Sequence, residues 1–510
     1  MVLAKAWSMS LAGLSGFTIQ IEVDISAQLP SFQLVGLPDA SLAEATARVR
    51  AACTNSGFGF PSQKIVANLS PASVPKSGSG FDLAIALAVL CASGKLQQSG
   101  LDAVCVLGEL GLDGAVRPIP GVLPMALAAK EAGFKRLVCA TENAAEAALV
   151  DELNVFAVAR LDQAVQFLAG ELEQPPALPL LKLASDSADL DLGQVLGQES
   201  AVEGLVVAAA GGHHLSLIGS PGSGKTMLAE RLPSILPQLT IAEALEVAAI
   251  ESIAGNGQHQ LQLSQNPPFQ APHHTSSTAA LVGGGTGLPR PGAASRAHRG
   301  VLFLDEALEF RLGALDSLRE PLEHGRIVIN RTAGSAIYPA RFQLVLAANP
   351  CPCGYLGVPG KDCRCSVTSI RRYSSRLSGP VFDRIDIRLA VNPVGLSLTA
   401  GMAQAAMGSQ QALAKVTVAR AAASERFSKF GYRLNSHVPG QLLRRQFKIG
   451  HAASRELDQL LHGGRSSMRG YDRCLRLAWT LADLDGLTVP GREQVQRAVA
   501  LRGADDRLAA

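Results

Sequence analysis

The run Gly219-Ser220-Pro221-Gly222-Ser223-Gly224-Lys225-Thr226 fits the phosphate-cradling pattern GxxxxGK[ST] at every position. Glycines there let successive backbone N–H groups turn toward a phosphate chain; the lysine then reaches the β- and γ-phosphates, and the threonine hydroxyl joins Mg²⁺. The flanks agree, since "HLSLI" before the run is strand-like and "TMLAERL" after it is helical. Downstream, "GVLFLDE" sets the apolar Val301–Leu304 before Asp305 and Glu306. A buried strand ending in two acids delivers the first toward the magnesium ion and leaves the second to polarise the attacking water. A third strand, "FQLVLAAN", ends on Asn349, whose amide can orient that water against the γ-phosphate. In "LSGPVFDRIDIRL", Arg384 stands between two aspartates just ahead of a strand. Such a residue is either a surface ion-pair partner or, in a ring ATPase, the cation that reaches a neighbour's γ-phosphate.

A second constellation is "NPCPCGYLGVPGKDCRC", which holds four of the nine cysteines: Cys351, Cys353, Cys363 and Cys365. Two CxC pairs, with Gly354, Pro359 and Gly360 permitting sharp turns, fit a small four-thiolate zinc knuckle; metal binding would supply folding energy that a loop poor in apolar residues lacks. The other reading is two loose thiol pairs or a redox-labile loop, because CxxC pairs are commoner than CxC in zinc fingers. Lys361, Arg364, Arg371, Arg372 and Arg376 follow, against the single acid Asp362. That basic face can serve a neighbouring subunit, DNA phosphates or solvent alone. His273 and His274 in "APHHTSS" have no second ligand pair nearby, so they read as structural or subunit-contact residues rather than metal ligands.

Two segments are placed to meet a polymer. "HGRIVINRTAGSAIYPARF" reads as a β-hairpin around Thr332-Ala333-Gly334-Ser335, with Arg331 near its tip and Arg326 at its base. "TAALVGGGTGLPRPGAASRAH" is a glycine-rich second loop. Neither interleaves aromatic with basic residues, so the expected contact is with nucleic-acid backbone, without strong sequence preference.

These groups need a scaffold, and 510 residues are too many for one ordinary core. With 47% apolar and 17% charged residues the chain is globular, and a net charge of +3 excludes a whole-molecule polyanion binder. The longest purely apolar run, 83–92, is too short to span a bilayer. The opening "MVLAKAWSMSLAGLSGF" is interrupted by serines and glycines and feeds an alternating strand, so the protein is read as cytoplasmic, with no membrane role. The other five cysteines, scattered in apolar settings, read as reduced core thiols. Residues 1–170 alternate strand and helix patterns, 171–191 form a Pro-rich linker, 192–394 are α/β, and 395–510 are largely helical.

"GQESAVEGLVVAAAGGHHLSLIGSPGSGKTMLAERLPSILP", "APHHTSSTAALVGGG", "HRGVLFLDEALEF", "AANPCPCGYLG" and "RLSGPVFDRIDI" together resemble the ComM (YifB) family of magnesium-chelatase-like AAA+ proteins, over nearly the whole chain. The resemblance implies an α/β multidomain protein: a Lon-protease-like (S5-like) α+β amino-terminal domain, an AAA+ P-loop core and a carboxy-terminal helical lid. It implies ATP and Mg²⁺ as cofactors, a homo-hexameric ring, single-stranded or branched DNA as partner, and helicase action that drives branch migration in recombination of transforming DNA. It makes 219–226 the Walker A loop, Asp305 and Glu306 Walker B, Asn349 sensor 1 and Arg384 the arginine finger. "SSMRGYDRCLRLAWTLADL" resembles the sensor 2 helix; Arg469 is expected to touch the γ-phosphate in cis, with Arg473 and Arg476 as alternatives on the same helix.

"PKSGSGFDLAIALA" and "GELGLDGAVRPIPGVLPMALAAKEAG" resemble the two Lon signature segments, yet Gly80 stands where the nucleophilic serine belongs and Leu123 where the lysine belongs. A hydroxyl without an activating base does not attack an amide, and Lys76 with Ser77 or Ser79, on a glycine loop, points the wrong way to replace the pair. An ATP-dependent protease is therefore disfavoured, leaving this domain as scaffold, ring partner or DNA platform. A static DNA-binding module is disfavoured by the intact Asp305-Glu306 pair. The competing expectation is a chelatase-type motor that remodels a protein partner.

Overall fold

Ile19, Ile21 and Val23 alternate inward along β2 (Ser15–Ser26), and the amino-terminal sheet is built on that period of two. In the computed structural model, residues 3–503 are described apart from 37–43, 75, 77, 181–189, 256–262, 286–288, 332–333, 359, 377–378, 394–406 and 465. Strand β1 (Ala4–Ala12) pairs antiparallel with β2 through a tight turn at Gly13 and Leu14. The full order is β3 (Ser31–Val35), β4 (Lys64–Ser70), β2, β1, β5 (Val104–Val106), β6 (Arg136–Ala140), β7 (Asn154–Val158). One face is covered by α1 (Ala45–Asn55) and α2 (Asp82–Ala92), the other by α3 (Val122–Glu131). Helix α2 is apolar all round and buried from Asp82 through Cys91, as such a helix must be. Its one acid, Asp82, is matched by Arg48 through Nε at 2.7 Å and Nη2 at 3.2 Å.

The expected linker leaves this domain alongside β7, where the Ala177 amide donates to the Val155 carbonyl at 2.7 Å. The second unit follows α4 (Glu199–Gly211). Its parallel five-stranded sheet runs β9 (Phe269–Gln270), β10 (Val301–Leu304), β13 (Gln343–Ala348), β8 (Leu215–Gly219), β14 (Ile387–Val391). Parallel strands covered on both faces need near-continuous apolar runs, and every residue of β10 is buried. Between β8 and β9 lie α5 (Lys225–Arg231) and α6 (Ile241–Ala254). Between β10 and β13 the chain makes the hairpin β11 (Arg326–Arg331) and β12 (Gly334–Pro339). Its turn is tighter than the sequence pattern implied: Arg331 pairs with Gly334 and Asn330 with Ser335. Glycine at 334 and serine at 335 continue the ladder, and Thr332 and Ala333 lie outside the described residues.

Helices α7 (Ser409–Phe427), α8 (Met468–Leu484) and α9 (Arg492–Arg502) complete the chain. Their apolar stripes share one core with the parallel sheet, in which Phe427, Leu477, Trp479 and Leu481 meet Leu205, Leu215 and Val391. The expected boundary at 394/395 falls outside the described residues. Among the described residues no helix is long and apolar enough to cross a membrane.

Sheet and helices are pinned together by a buried polar network. His213 Nδ1 lies 3.2 Å from Asp386 Oδ2 and its Nε2 2.8 Å from Thr480 Oγ1 on α8. Arg473, also on α8, is ion-paired with Asp386 and donates to the Arg384 carbonyl at 2.9 Å. His214, held down at about 4 chiefly by burial, stays neutral and accepts the Leu344 amide at 3.0 Å. Burial alone would raise the Asp386 carboxyl, but Arg473 and His213 outweigh it and hold the group below its ordinary range. A depressed carboxylate stabilises the fold above its unfolded pKa of about 4, and that contribution is lost as pH falls below it. Asp386→Ala should strand two buried partners at a cost of about 3–5 kcal/mol. We expect the calorimetric melting temperature to fall by about 10 °C at neutral pH and the difference from wild type to shrink in acid; identical melting at neutral pH would show that the network holds nothing together.

Candidate nucleotide site

Parallel strands carry their loops out of one edge, and β8, β10 and β13 are neighbours, so Gly219, Asp305 and Asn349 emerge side by side. The loop after β8 is shaped for a polyanion. Gly222 takes φ +74° with open space where a β-carbon would stand, and Gly224 takes φ +91° as the cap of α5. The buried Ser223 hydroxyl has no hydrogen-bond partner among the described residues. Lys225 Nζ donates to the Gly219 and Ser220 carbonyls at 2.9 Å each and reaches Asn349 Oδ1 at 3.3 Å. Burial lowers the lysine's pKa, against an opposing pull from Asp305 and Glu306.

The Thr226 hydroxyl donates to Asp305 Oδ2 at 2.8 Å, and the other Asp305 oxygen accepts the Glu306 amide at 2.8 Å. A hydroxyl and a carboxylate oxygen in contact are a donor pair suited to one hard divalent cation. ATP and Mg²⁺ thus fit the residues present: the glycine loop, Lys225 and Ser223 for the phosphates, Thr226 and Asp305 for the metal, which would neutralise phosphate charge. Glu306 adopts a left-handed backbone, φ +49°, which costs a non-glycine residue about 1–3 kcal/mol and commonly marks a working position.

One partner in this site was not legible from the motifs. His274 Nδ1 lies 2.9 Å from Glu306 Oε2, and the His273 ring lies against it, tilted by 34°, at 4.1 Å between centroids. The sequence pattern gives the pair no more than a structural or subunit-contact role. The available signal was position: they stand just past β9, the strand beside β10, and so emerge at the same edge.

Arg384 lies elsewhere. Ile387, opening β14, pairs with Leu215, whereas Gly219 pairs with Val391. Arg384 therefore precedes β14 at the opposite end of the sheet, more than about 13 Å along the strands from its own phosphate loop. It is ion-paired there with Glu323 of the short helix Arg319–His324. Arg469 is exposed in the first turn of α8 and close enough to lower the Arg384 pKa, although burial is the larger cause. Arg469, expected to touch the γ-phosphate in cis, is carried by α8, which docks at the Arg384 end of the sheet through Arg473. Arg473 is spent on Asp386, and Arg476 donates to the Val438 carbonyl at 2.8 Å.

The cysteines do converge. Sγ of Cys351 lies 3.3 Å from Cys353 and 3.7 Å from Cys363, Cys353 lies 3.7 Å from Cys363, and all four Sγ atoms, Cys365 included, fall within 4.8 Å of one another. Zn–S bonds of about 2.3 Å imply tetrahedral S···S edges of about 3.8 Å, so the four thiols fit zinc. Backbone donation, foremost from Tyr355, holds the Cys353 thiol down at about 6, toward the thiolate that binds metal. The knuckle abuts the phosphate loop: a β-carbon on Gly354 would stand 2.5 Å from Pro221 Cδ. Pro359, one of the expected turn residues, lies outside the described residues. Of the basic residues that follow, Arg376 pairs with Glu309 at 3.1 Å and Lys361 sits 4.5 Å over the Tyr355 ring.

Arg326 and Arg331 are exposed at the base and tip of the β11–β12 hairpin. The glycine-rich loop packs against that hairpin, where Gly283 leaves room for Ile329 and the Tyr338 hydroxyl donates to the Pro289 carbonyl at 2.6 Å. In the amino-terminal domain a β-carbon at Gly80 would meet Ile119 Cδ1 at 3.0 Å, and Leu123 is fully buried. Lys76 Nζ is spent on the Pro71 and Val74 carbonyls, while Ser79 bonds Glu109; Ser77 lies outside the described residues. Among the described residues the Ser79 hydroxyl therefore faces the Glu109 carboxylate, and no lysine amine faces a hydroxyl there.

The chain matches three family models: magnesium chelatase subunit ChlI over residues 191–397, subunit ChlI of Mg-chelatase over 21–143, and the ChlI carboxy-terminal model over 406–502. It is 49% identical over 504 residues to a Mycobacterium tuberculosis protein described as uncharacterized, covering 98% of this chain and 99% of that one. It is 41% identical over 514 residues to YifB of Escherichia coli, also described as uncharacterized (100% and 98% covered). It is 41% identical over 490 residues to the competence protein ComM of Haemophilus influenzae (95% and 94%). A local stretch of 54 residues is 44% identical to an archaeal Lon protease of Archaeoglobus fulgidus, 11% of this chain and 9% of that protein.

Two outcomes follow from the contacts. His274→Ala should leave ATP binding within about twofold and change the turnover number of hydrolysis by about tenfold or more, since it frees the Glu306 carboxylate; an unaltered turnover number would reduce the contact to packing. Metal analysis should find about one zinc per chain, absent from Cys351→Ser/Cys353→Ser, and chelation should weaken nucleotide binding through Gly354 and Pro221. Zinc-free protein with full nucleotide affinity would remove both claims.

Proposed function

The chain belongs to the ComM (YifB) family of magnesium-chelatase-like AAA+ proteins, and from that premise we propose that it is an ATP-driven, homo-hexameric DNA motor that promotes branch migration in homologous recombination, as in natural transformation. The observation that carries this reading is the opposed placement of Lys225, Asp305 and Glu306 at one edge of the sheet and Arg384 at the other. A cation that cannot serve its own phosphate loop is useful when a second copy brings it to that copy's neighbour, which is the geometry of a closed ring. Arg469, beside Arg384, joins it in trans.

Within one subunit, Lys225 and the glycine loop hold the phosphates, Thr226 and Asp305 hold the cation, Asn349 orients the water, and Glu306 takes its proton. The β11–β12 hairpin offers Arg326 and Arg331 to DNA phosphates, single-stranded or branched. The name of the Haemophilus relative supports a competence role. The Lon-like amino-terminal domain contributes no proteolysis, because Ile119 stands against Gly80, where a nucleophile would be. The second reading, a motor that remodels a protein partner during metal insertion, is favoured by the match of 191–397 and 406–502 to chelatase subunit models. Both readings share the ATP chemistry.

Unwinding of branched DNA by purified protein with ATP separates them. We expect strand displacement by wild type, none by Lys225→Ala, and none by Glu306→Gln, which still binds ATP and assembles. Arg384→Ala should bind ATP yet hydrolyse it about 10³-fold more slowly or worse. Hydrolysis indifferent to DNA, with no strand moved, would favour the protein-remodelling motor. A chain that stays monomeric with every nucleotide would overturn the ring.

A further inference from the structure

The turn between β1 and β2 reaches beyond its own domain. Gly13 takes φ +64°, and a β-carbon placed on it would stand 2.7 Å from the Ile337 carbonyl oxygen and 2.8 Å from the Ile337 amide nitrogen on β12. The approach is backbone against backbone, which only glycine permits. In a hairpin closed by the Arg331–Gly334 pair, bonded and non-bonded pairs alternate toward the base. Val328–Ile337 is then a non-bonded pair, so the Ile337 amide and carbonyl face away from β11, toward the free edge of β12. Gly13 lies against that edge. Leu14, beside it, packs against both the amino-terminal core and the cluster containing Ile329, Ala336 and Tyr338.

The turn has firm support behind it. The Gly121 amide, at the start of α3, donates to the Ser252 carbonyl of α6 at 3.0 Å. A β-carbon on Gly121 would lie 2.6 Å from Leu11 of β1 and 3.4 Å from Ile253 of α6. Leu239, Ala244, Ala248 and Ala249 complete the amino-terminal core from the nucleotide-binding side. The hairpin has less support of its own. It buries Ile327, Ile329, Ala336 and Tyr338 on one face, while Ile337 on the other remains 51% exposed. A two-stranded ribbon with an open edge is marginal by itself.

We propose that the amino-terminal domain is the backstop of the β11–β12 hairpin, with Gly13 and Leu14 as positioning residues that stop β12 from yielding when load is applied at Arg331. This rests on the reading of the hairpin as the element that engages DNA. It gives a domain without a proteolytic pair a mechanical task in the same motor.

The test uses the full-length protein and two readouts, one of which needs no DNA. Gly13→Val places a side chain where Ile337 stands and strains a left-handed residue. Leu14→Ala removes only a half-buried side chain and guards against a variant that fails to fold. In hydrogen exchange with nucleotide bound, we expect hairpin amides at 326–339 to exchange about tenfold faster in either folded variant, with the parallel sheet unchanged. DNA-independent ATP hydrolysis should stay within about twofold, and strand displacement should fall by about tenfold or more. Unchanged hairpin exchange in a folded variant overturns the brace. Faster exchange with undiminished strand displacement overturns its part in the motor. A wild type that moves no DNA sinks the motor reading instead, and the exchange result still decides the contact.

Discussion

A parallel β-sheet has two unlike ends, and this protein spends both. The ends of β8, β10 and β13 gather Lys225, Asp305, Glu306 and Asn349 into one site. The opposite end, reached through the register of β14 with β8, holds Arg384, with Arg469 close by. The strands between are rigid, buried and about 13 Å long, so no side-chain rotation brings the two groups together within one chain. Everything proposed about assembly descends from that separation. The buried Asp386 network belongs to the same logic, because it fixes α8 to the end of the sheet where the two arginines are offered.

Much of this was legible in the sequence where function depends on consecutive residues. The glycine loop is a local backbone device, and the apolar run of β10 aims its two acids without help from distant segments. The CxC pairs read correctly as a cluster because four thiols in fifteen positions have few ways to stay apart. What stayed hidden was made by packing across strands. No motif reports that β9 lies beside β10, so the contact of His274 with Glu306 had no signature in either segment. The placement of Arg469 had no signature either, because helical periodicity says which face of α8 is buried, but not which end of the sheet that helix covers. The hairpin turn was drawn too wide because glycine and serine at 334 and 335 suit a turn as well as they suit its first ladder pairs.

The amino-terminal domain, with its local likeness to an archaeal Lon protease, is explained by packing at two positions. Gly80 leaves its space to Ile119, and Leu123 is part of the core. What remains is a well-packed body with one long hairpin, β1–β2, whose turn meets the neighbouring domain. The glycine at that turn is explained by proximity, in the same way that Gly354 is explained by Pro221.

The distribution of sulfur has a practical corollary. Cys53 and Cys105 are buried and pushed up to about 12, Cys474 is pushed up to about 11, and Cys91 and Cys139 are raised as well, all chiefly by burial. Cys353, by contrast, is partly accessible and held near 6. The thiol held lowest thus lies in the knuckle, beside the loop that cradles phosphate. A fluorophore attached to the knuckle would report on the nucleotide pocket from its rim.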